Sequence, residues 1–167
     1  MSNLHLITVL VEDKPGVLAR VATMFARRGF NIHSLAVGPA EELELSRMTI
    51  VVDAPDVEQV IKQLQKLINT LKVVELSGTD AIEREVMLIR VNADTEQRSS
   101  VLDAAAVFKA KPVDVGATTI TFEVVGDPQK LADFLELMRP YGVVSLVKSG
   151  RIALAREPKA RNLRAIG

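Results

Sequence analysis

The sequence predicts an α+β protein that consists of two tandem βαββαβ units. Short apolar, β-branched runs alternate with amphipathic helical stripes, and the order of these elements is the same in both halves. A Ser-Gly-Thr-Asp segment at residues 77–80 separates the halves. The chain has 167 residues, of which 48 % are apolar, and this is enough to form two small cores. We expect one unit in residues 1–79 and the second in residues 80–167, which ends in a short basic tail.

The first unit contains four predicted strands and two predicted helices. The strands are residues 4–11, 30–37, 46–52 and 73–76. The first helix follows Asp13-Lys14-Pro15-Gly16, where the Asp13 carboxylate is expected to cap the free N–H groups, and Gly29 ends it. The second helix starts after Asp53-Ala54-Pro55-Asp56 and is predicted to run for four turns. Its apolar stripe consists of Val57, Val60, Ile61, Leu64, Leu67, Ile68 and Leu71.

The second unit repeats the order of strands and helices. Its predicted strands are residues 86–91, 112–116, 119–125 and 143–147, with a short additional strand at 152–154. One helix is predicted over residues 97–108, and another starts at Asp127-Pro128 and ends near residues 140–142. The βαββαβ order in about 80 residues is that of a ferredoxin-like unit, so the expected fold is two such units in tandem.

The first strand has apolar side chains on both faces. Ile7 and Val9 alternate with Leu6 and Leu10, so one pair faces the helices and the other faces away from them. An apolar sheet face of this kind is rarely left in water. We expect either a partner subunit or the second unit to cover it.

The composition excludes several classes of protein. Cysteine and tryptophan are absent, and the two histidines, His5 and His33, have no second ligand at a metal-binding spacing. Disulfides, thiol nucleophiles and cysteine-bound zinc are therefore excluded, and no catalytic residue or metal site is predicted. Lys and Arg number 21, as do Asp and Glu. This zero net charge argues against a nucleic-acid partner.

Localisation and charge distribution follow from the same sequence. No apolar run approaches the roughly 20 residues of a membrane span, and no secretion signal is visible, so we expect a cytoplasmic protein without a membrane partner. The formal charge is −2 in residues 1–80, −3 in residues 81–147 and +5 in residues 148–167. A basic tail thus offsets an acidic body.

The connection between the first strand and the first helix is the main candidate binding site. The N-terminus of a helix offers free N–H groups to a carboxylate, and Gly16 lets a ligand approach the backbone. Asp13 can hold an ammonium group, so this one loop can bind both ends of an α-amino acid. The alternative is an ordinary helix cap, with Gly16 admitting a close contact between helix and sheet.

Three other features have structural and functional interpretations. Asn31 offers a donor and an acceptor at the start of the second strand, and His33 is expected to point away from the core. Arg47 shares a strand face with Thr49, which is typical of a solvated face or an interface ion pair, and an anion site is the functional alternative. Gly16-Val17-Leu18-Ala19-Arg20 fits the G-V-x-x-R pattern of acylphosphatases, which have the same topology. Glu12 and Asp13 would repel the phosphate in that alternative.

Longer motifs resemble a known family. The matching segments, in order, are residues 10–18 (LVEDKPGVL), 27–35 (RRGFNIHSL), 46–50 (SRMTI), 63–68 (QLQKLI), 84–91 (REVMLIRV), 113–115 (VDV), 126–131 (GDPQKL) and 149–150 (SG). The first is similar to the opening of an ACT domain, an amino-acid-sensing regulatory module. Together they resemble the regulatory small subunit of acetohydroxyacid synthase, also called acetolactate synthase.

The resemblance implies a regulatory subunit without a catalytic site of its own. Such subunits bind the large catalytic subunit, which carries thiamine diphosphate, Mg²⁺ and FAD, and raise its activity. They confer feedback inhibition by valine in branched-chain amino acid biosynthesis. They form homodimers in which ACT domains pair side by side. The effector lies between two chains, and the implied site residues are Asp13, Gly16, Val17 and Leu18 of one chain and Asn31 and Ile32 of the other.

Two segments depart from the family pattern. Family members often carry Asn in place of Asp13, and their closing strand commonly ends in Ser-Arg-Gly, where this chain has Leu154-Ala155-Arg156-Glu157. A free-standing amino-acid-binding ACT protein with a different partner is the alternative function. An enzyme built on the same topology is a third.

Overall fold

A computed structural model describes residues 3–76 and 81–157 and confirms the α+β fold with two βαββαβ units. The elements of the first unit are β1 (Leu4–Glu12), α1 (Val17–Arg27), β2 (Asn31–Pro39), β3 (Leu45–Asp53), α2 (Val57–Gln65) and β4 (Thr70–Leu76). Those of the second are β5 (Ala81–Asn92), α3 (Arg98–Val107), β6 (Lys111–Val115), β7 (Thr119–Gly126), α4 (Pro128–Met138), β8 (Val143–Lys148) and β9 (Ile152–Ala155).

The first unit is an antiparallel sheet with two helices on one face. Its strand order is β2-β3-β1-β4, so β2 forms one edge of the sheet. The alternation of each strand directs one set of apolar side chains towards α1 and α2. This core includes Ile7, Val9, Met48, Ile50 and Val52 from the sheet, with Val21, Phe25, Val60 and Leu64 from the helices.

The predicted four-turn second helix is wrong, because α2 ends at Gln65. Leu67 remains partly buried, but Ile68 is 91 % exposed and Leu71 lies in β4. The reason is the pairing of β4 with β1, which starts at Thr70 opposite Val11 and requires the chain to leave the helix before that point. Pairing with a neighbouring strand therefore overrides the helical periodicity.

The second unit has the same topology, with strand order β6-β7-β5-β8. Its core forms between the sheet and helices α3 and α4, where Phe134 lies edge-on to Phe108 and Phe122. β5 is longer than predicted. Its first four residues leave this sheet and pair with β9, from Ala81 opposite Ala155 to Arg84 opposite Ile152.

The second unit covers part of the apolar back face of the first sheet, as one of the two expected covers would. Leu6, Val51 and Leu76 of the first unit pack with Ala81 and Ala153, which come from the paired segments of β5 and β9. We call this set of five residues the inter-unit cluster. It continues the core of the first unit through the sheet and joins the two units.

Two predictions concern parts of the chain outside the described residues. The boundary at residues 77–80 and residues 158–167, the second half of the basic tail, lie outside the described residues. The division into residues 1–79 and 80–167 stays a prediction. Within residues 3–76 and 81–157, none of the helices has the length and apolar character that a bilayer crossing requires.

The end of α2 can be tested by comparing two apolar truncations. Leu64→Ala removes a fully buried side chain and should lower the free energy of unfolding by about 2–5 kcal/mol. Ile68→Ala removes an exposed side chain and should change it by less than about 0.5 kcal/mol. Urea unfolding followed by circular dichroism measures both. Equal losses would show that Ile68 belongs to the buried stripe after all.

Candidate functional site

The loop between β1 and α1 is shaped by Gly16. This residue occupies the position before the helix with φ of 86°, a left-handed conformation that L side chains rarely adopt. A Cβ atom added there would meet nothing within 4 Å. The backbone conformation therefore requires the glycine, and the alternative of a close contact between helix and sheet is wrong.

Asp13 does not cap α1, contrary to the sequence prediction. No described side chain accepts a hydrogen bond at this end of the helix. The reason is the path of the loop. The Asp13 N–H donates to the Glu44 carbonyl at 2.7 Å, and the left-handed Gly16 stands at the capping position in its place. The Val17 N–H donates to the Lys14 carbonyl at 3.4 Å, whereas no described side chain accepts from the N–H groups of Leu18 and Ala19, so these two can bind an anion.

The side chains around this helix end divide into exposed and buried ones. Asp13 is exposed and Leu18 is 45 % exposed, so both can contact a ligand. Val17 packs into the first core and can offer a ligand only its backbone. This end of α1 thus combines an N-terminal partial positive charge, a carboxylate and an exposed apolar side chain.

The other two candidate residues lie at the opposite end of α1. Asn31 is exposed and Ile32 packs partly against the first core, both at the start of β2. α1 has 11 residues and is therefore roughly 16 Å long at about 1.5 Å per residue; Gly16 precedes its first residue and Asn31 follows its last. One chain therefore does not bring the two sets of candidate residues together.

The sheet topology shows how two chains would bring them together. β1 and β2 are both antiparallel to β3, so they run in the same direction. The loop that follows β1 consequently lies beside the far end of β2, as the Asp13–Glu44 hydrogen bond also shows. An antiparallel pairing of two β2 edges across a twofold axis would place Asn31 of one chain on the side of the other chain's Gly16 loop.

A hydrogen-bond network that the sequence did not predict holds this loop. Asn69 is buried between β1 and α1, where its side-chain N–H donates to Glu12 Oε2 at 2.7 Å and its Oδ1 accepts from Arg20 Nη1. Lys14 Nζ lies 2.9 Å from the same Glu12 oxygen. The network joins the β1–α1 loop to α1 and to the start of β4. An asparagine inside the apolar stripe was the one available signal, because Asn disfavours a helix interior.

The network holds the pKa of Glu12 below its ordinary value of 4.5, first through the hydrogen bond with Lys14 and then through that with Asn69. Because the pKa of Glu12 is lower in the folded than in the unfolded state, its ionisation stabilises the fold at pH values above the unfolded-state pKa. This stabilisation is lost as the pH falls through the folded-state pKa. Two features also oppose the acylphosphatase alternative. The Glu12 carboxylate would repel a phosphate, and the Arg20 side chain that would have to bind it already donates to Asn69.

The surroundings of Arg47 and His33 agree with structural roles for both residues. Arg47 Nη2 lies 3.1 Å from Glu41 Oε1 in an ion pair within the first unit. His33 is exposed at an irregularity in β2 and points away from the core as predicted. Among residues 3–76 and 81–157, no group of three or more His, Asp or Glu side chains is arranged to hold a metal.

The network can be tested with two substitutions. Asn69→Ala removes a buried side chain that hydrogen-bonds to Glu12 and Arg20, and it should cost about 1–3 kcal/mol of unfolding free energy. Glu12→Gln should lower stability at pH 7, and its difference from wild type should shrink as the pH falls from 4.5 through the lower folded-state pKa, below which wild-type Glu12 is also neutral. Urea unfolding at several pH values measures this. A difference that persists at pH 2–3 would contradict the assignment to the carboxylate.

Two family models together match nearly all of the chain. Residues 7–72 match the AHAS small subunit-like ACT domain, and residues 84–157 match the small subunit of acetolactate synthase. These ranges correspond to the first and second βαββαβ units.

Individual relatives and a solved structure agree with the models. The acetolactate synthase small subunit of Mycolicibacterium smegmatis is 48 % identical over 157 residues, covering 93 % of this chain and 92 % of the relative. The probable acetolactate synthase small subunit of Archaeoglobus fulgidus is 52 % identical and covers 93 % and 98 %. The crystal structure of the Thermotoga maritima small subunit superposes with a TM-score of 0.85 at 36 % identity, covering 92 % and 98 %. The chain therefore belongs to the family of acetolactate synthase small subunits, regulatory chains that carry an ACT domain.

Proposed function

We propose that this chain binds the large catalytic subunit of acetolactate synthase, raises its activity and makes it sensitive to valine. The observation that carries the proposal is the separation of the candidate residues at the two ends of α1. A two-walled amino-acid site cannot form within one chain, but it can form between two chains that pair along β2. The match over both units supports the complex with the large subunit over the alternative of a free-standing ACT protein.

The chemistry of each wall fits one part of valine. The N–H groups of Leu18 and Ala19 in the first turn of α1 suit its carboxylate, because they combine available donors with the positive end of the helix dipole. Asp13 suits the ammonium group, and the second chain's Asn31 supplies a further acceptor. Leu18 of one chain and Ile32 of the other line the space for the isopropyl group.

Regulation follows from a site shared by two chains. Valine contacts both walls only when the two chains have the correct relative position, so its binding favours that dimer geometry. The large subunit senses the geometry, with a coupling free energy of about 1–3 kcal/mol. Thiamine diphosphate, Mg²⁺ and FAD belong to the large subunit in this proposal, and the complex is cytoplasmic.

Copurification and activation test the complex itself. A tagged small subunit should retain the large subunit on a column and raise its acetolactate synthase activity, and valine should then inhibit the complex. Calorimetry with valine, leucine and isoleucine identifies the preferred effector. Failure to bind and activate the large subunit would overturn the proposal.

Gly16→Asp tests the first wall of the site. The new carboxylate would repel that of valine, and the left-handed backbone would be strained. We expect the inhibition by valine to be lost, while activation of the large subunit stays within about twofold of wild type. The same substitution at Gly116, in the exposed β6–β7 turn, is the control and should leave inhibition unchanged. Normal inhibition of the Gly16→Asp complex would refute the site.

Mixed dimers test whether the site is shared between chains. Asn31→Ala should also abolish valine binding, and each variant alone should bind none. A dimer that combines a Gly16→Asp chain with an Asn31→Ala chain has one site built from the two unaltered walls. Calorimetry on mixed dimers isolated with two different tags should therefore recover one valine per dimer. No recovery would show that the two walls do not come from different chains.

A further inference from the structure

The two units make a second contact besides the inter-unit cluster, and this contact lies close to the start of β2. The turn between β8 and β9 consists of Ser149, Gly150 and Arg151. The backbone N–H of Arg151 donates to Ser34 Oγ of the first unit at 2.9 Å, in a partly buried position. A side chain of β2 therefore accepts a hydrogen bond from the second unit.

The close contact between the turn and β2 depends on the absence of a side chain at Gly150. Its φ of 84° is left-handed, and an added Cβ atom would lie 2.9 Å from the Leu35 carbonyl oxygen and 3.2 Å from Ser34 Oγ. The first of these distances is shorter than real Cβ contacts. Backbone conformation and space thus both require glycine at this position, where the turn approaches β2 most closely.

The turn is fixed within the second unit. Ser149 Oγ accepts a hydrogen bond from Val86 N at 3.0 Å, and the Ser149 N–H donates to the Val86 carbonyl at 3.0 Å. Arg151 Nη1 lies 3.7 Å from Glu83 Oε2, and both side chains are largely buried. The turn consequently moves together with β5, the central strand of the second unit.

Ser34 is also close in the chain to the residues of the proposed effector site. The register between β2 and β3 shifts between Ile32 and Ser34, so His33 is the additional residue and Ser34 comes directly after it. Asn31 and Ile32, the wall that the second chain of a dimer would use, immediately precede this irregularity. Ser34 lies two residues after Ile32, so a movement of Asn31 and Ile32 also moves Ser34. The second unit must then follow this movement, or the hydrogen bond between Ser34 and Arg151 breaks.

We infer that Ser34 and Gly150 are positioning residues for regulation, which transmit effector binding at the start of β2 to the second unit. The inference rests on the proposed function, because it takes valine as the effector. Neither residue touches the effector. Their contact makes the second unit respond to the position of β2, and it explains how a ligand at the edge of the first sheet alters a surface of the second unit.

The test separates effector binding from effector response. Ser34→Ala removes the acceptor, and Gly150→Ala introduces the Cβ clash. In both variants we expect the valine Kd from calorimetry and the activation of the large subunit to stay within about threefold of wild type. The valine concentration for half-inhibition of the complex should rise by about fivefold to 150-fold, or inhibition should be lost.

Two further variants serve as controls. Ser34→Thr keeps the acceptor oxygen and should restore a wild-type response. Ser145→Ala removes an exposed hydroxyl of β8 that makes none of the described hydrogen bonds to the first unit or to the turn, and it should leave inhibition within about threefold of wild type. Inhibition that is unchanged in both Ser34→Ala and Gly150→Ala would overturn the inference.

Amide hydrogen exchange on the uninhibited complex tests the contact without any effector. Ser34→Ala should accelerate exchange at Arg151 and across residues 31–35 by about tenfold or more, because both sides lose a tertiary restraint. Unchanged exchange at these sites would overturn the inference. A wild-type complex that neither binds nor responds to valine would overturn the proposed function, and the exchange result would still decide whether the contact restrains β2.

Discussion

The rest of the structure depends on the burial of both faces of the first sheet. Ile7 and Val9 meet the helices on the front of β1, and Leu6 meets the second unit on its back. A sheet with two apolar faces is stable in water only when something covers each of them. The second unit provides the back cover through Ala81 and Ala153, two small side chains that allow close approach. This burial sets where the second unit lies.

That arrangement leaves the β2 edge of the first sheet open. The front face is occupied by helices and the back face by the second unit, so the unpaired backbone groups of β2 remain available within the described structure. The β1–α1 loop and the start of β2 lie at opposite ends of α1. The length of this helix therefore makes the proposed amino-acid site depend on a second chain, and any ligand that occupies it also acts on the contact between chains.

Some features of the site were predictable because they depend on local chemistry. Gly16 before the amphipathic α1 and the outward-pointing His33 both depend on residues close in sequence. Asp13 and Ile68 were predicted wrongly for the opposite reason. Asp13 bonds through its backbone to Glu44, and Ile68 leaves the helical stripe because β4 must pair with β1. Neither partner is visible in the local pattern.

The sequence by itself determined the order of the elements, the faces that are buried and the family, because periodicity, turn residues and motifs are properties of neighbouring positions. Only the tertiary structure decided that Asn69 holds the β1–α1 loop, that Ala81 and Ala153 cover the first sheet, and that Arg151 reaches Ser34. Ser34 and Arg151 are 117 residues apart in the chain. Contacts over such a separation depend on how whole strands pair and pack, and no local pattern in the sequence records that arrangement.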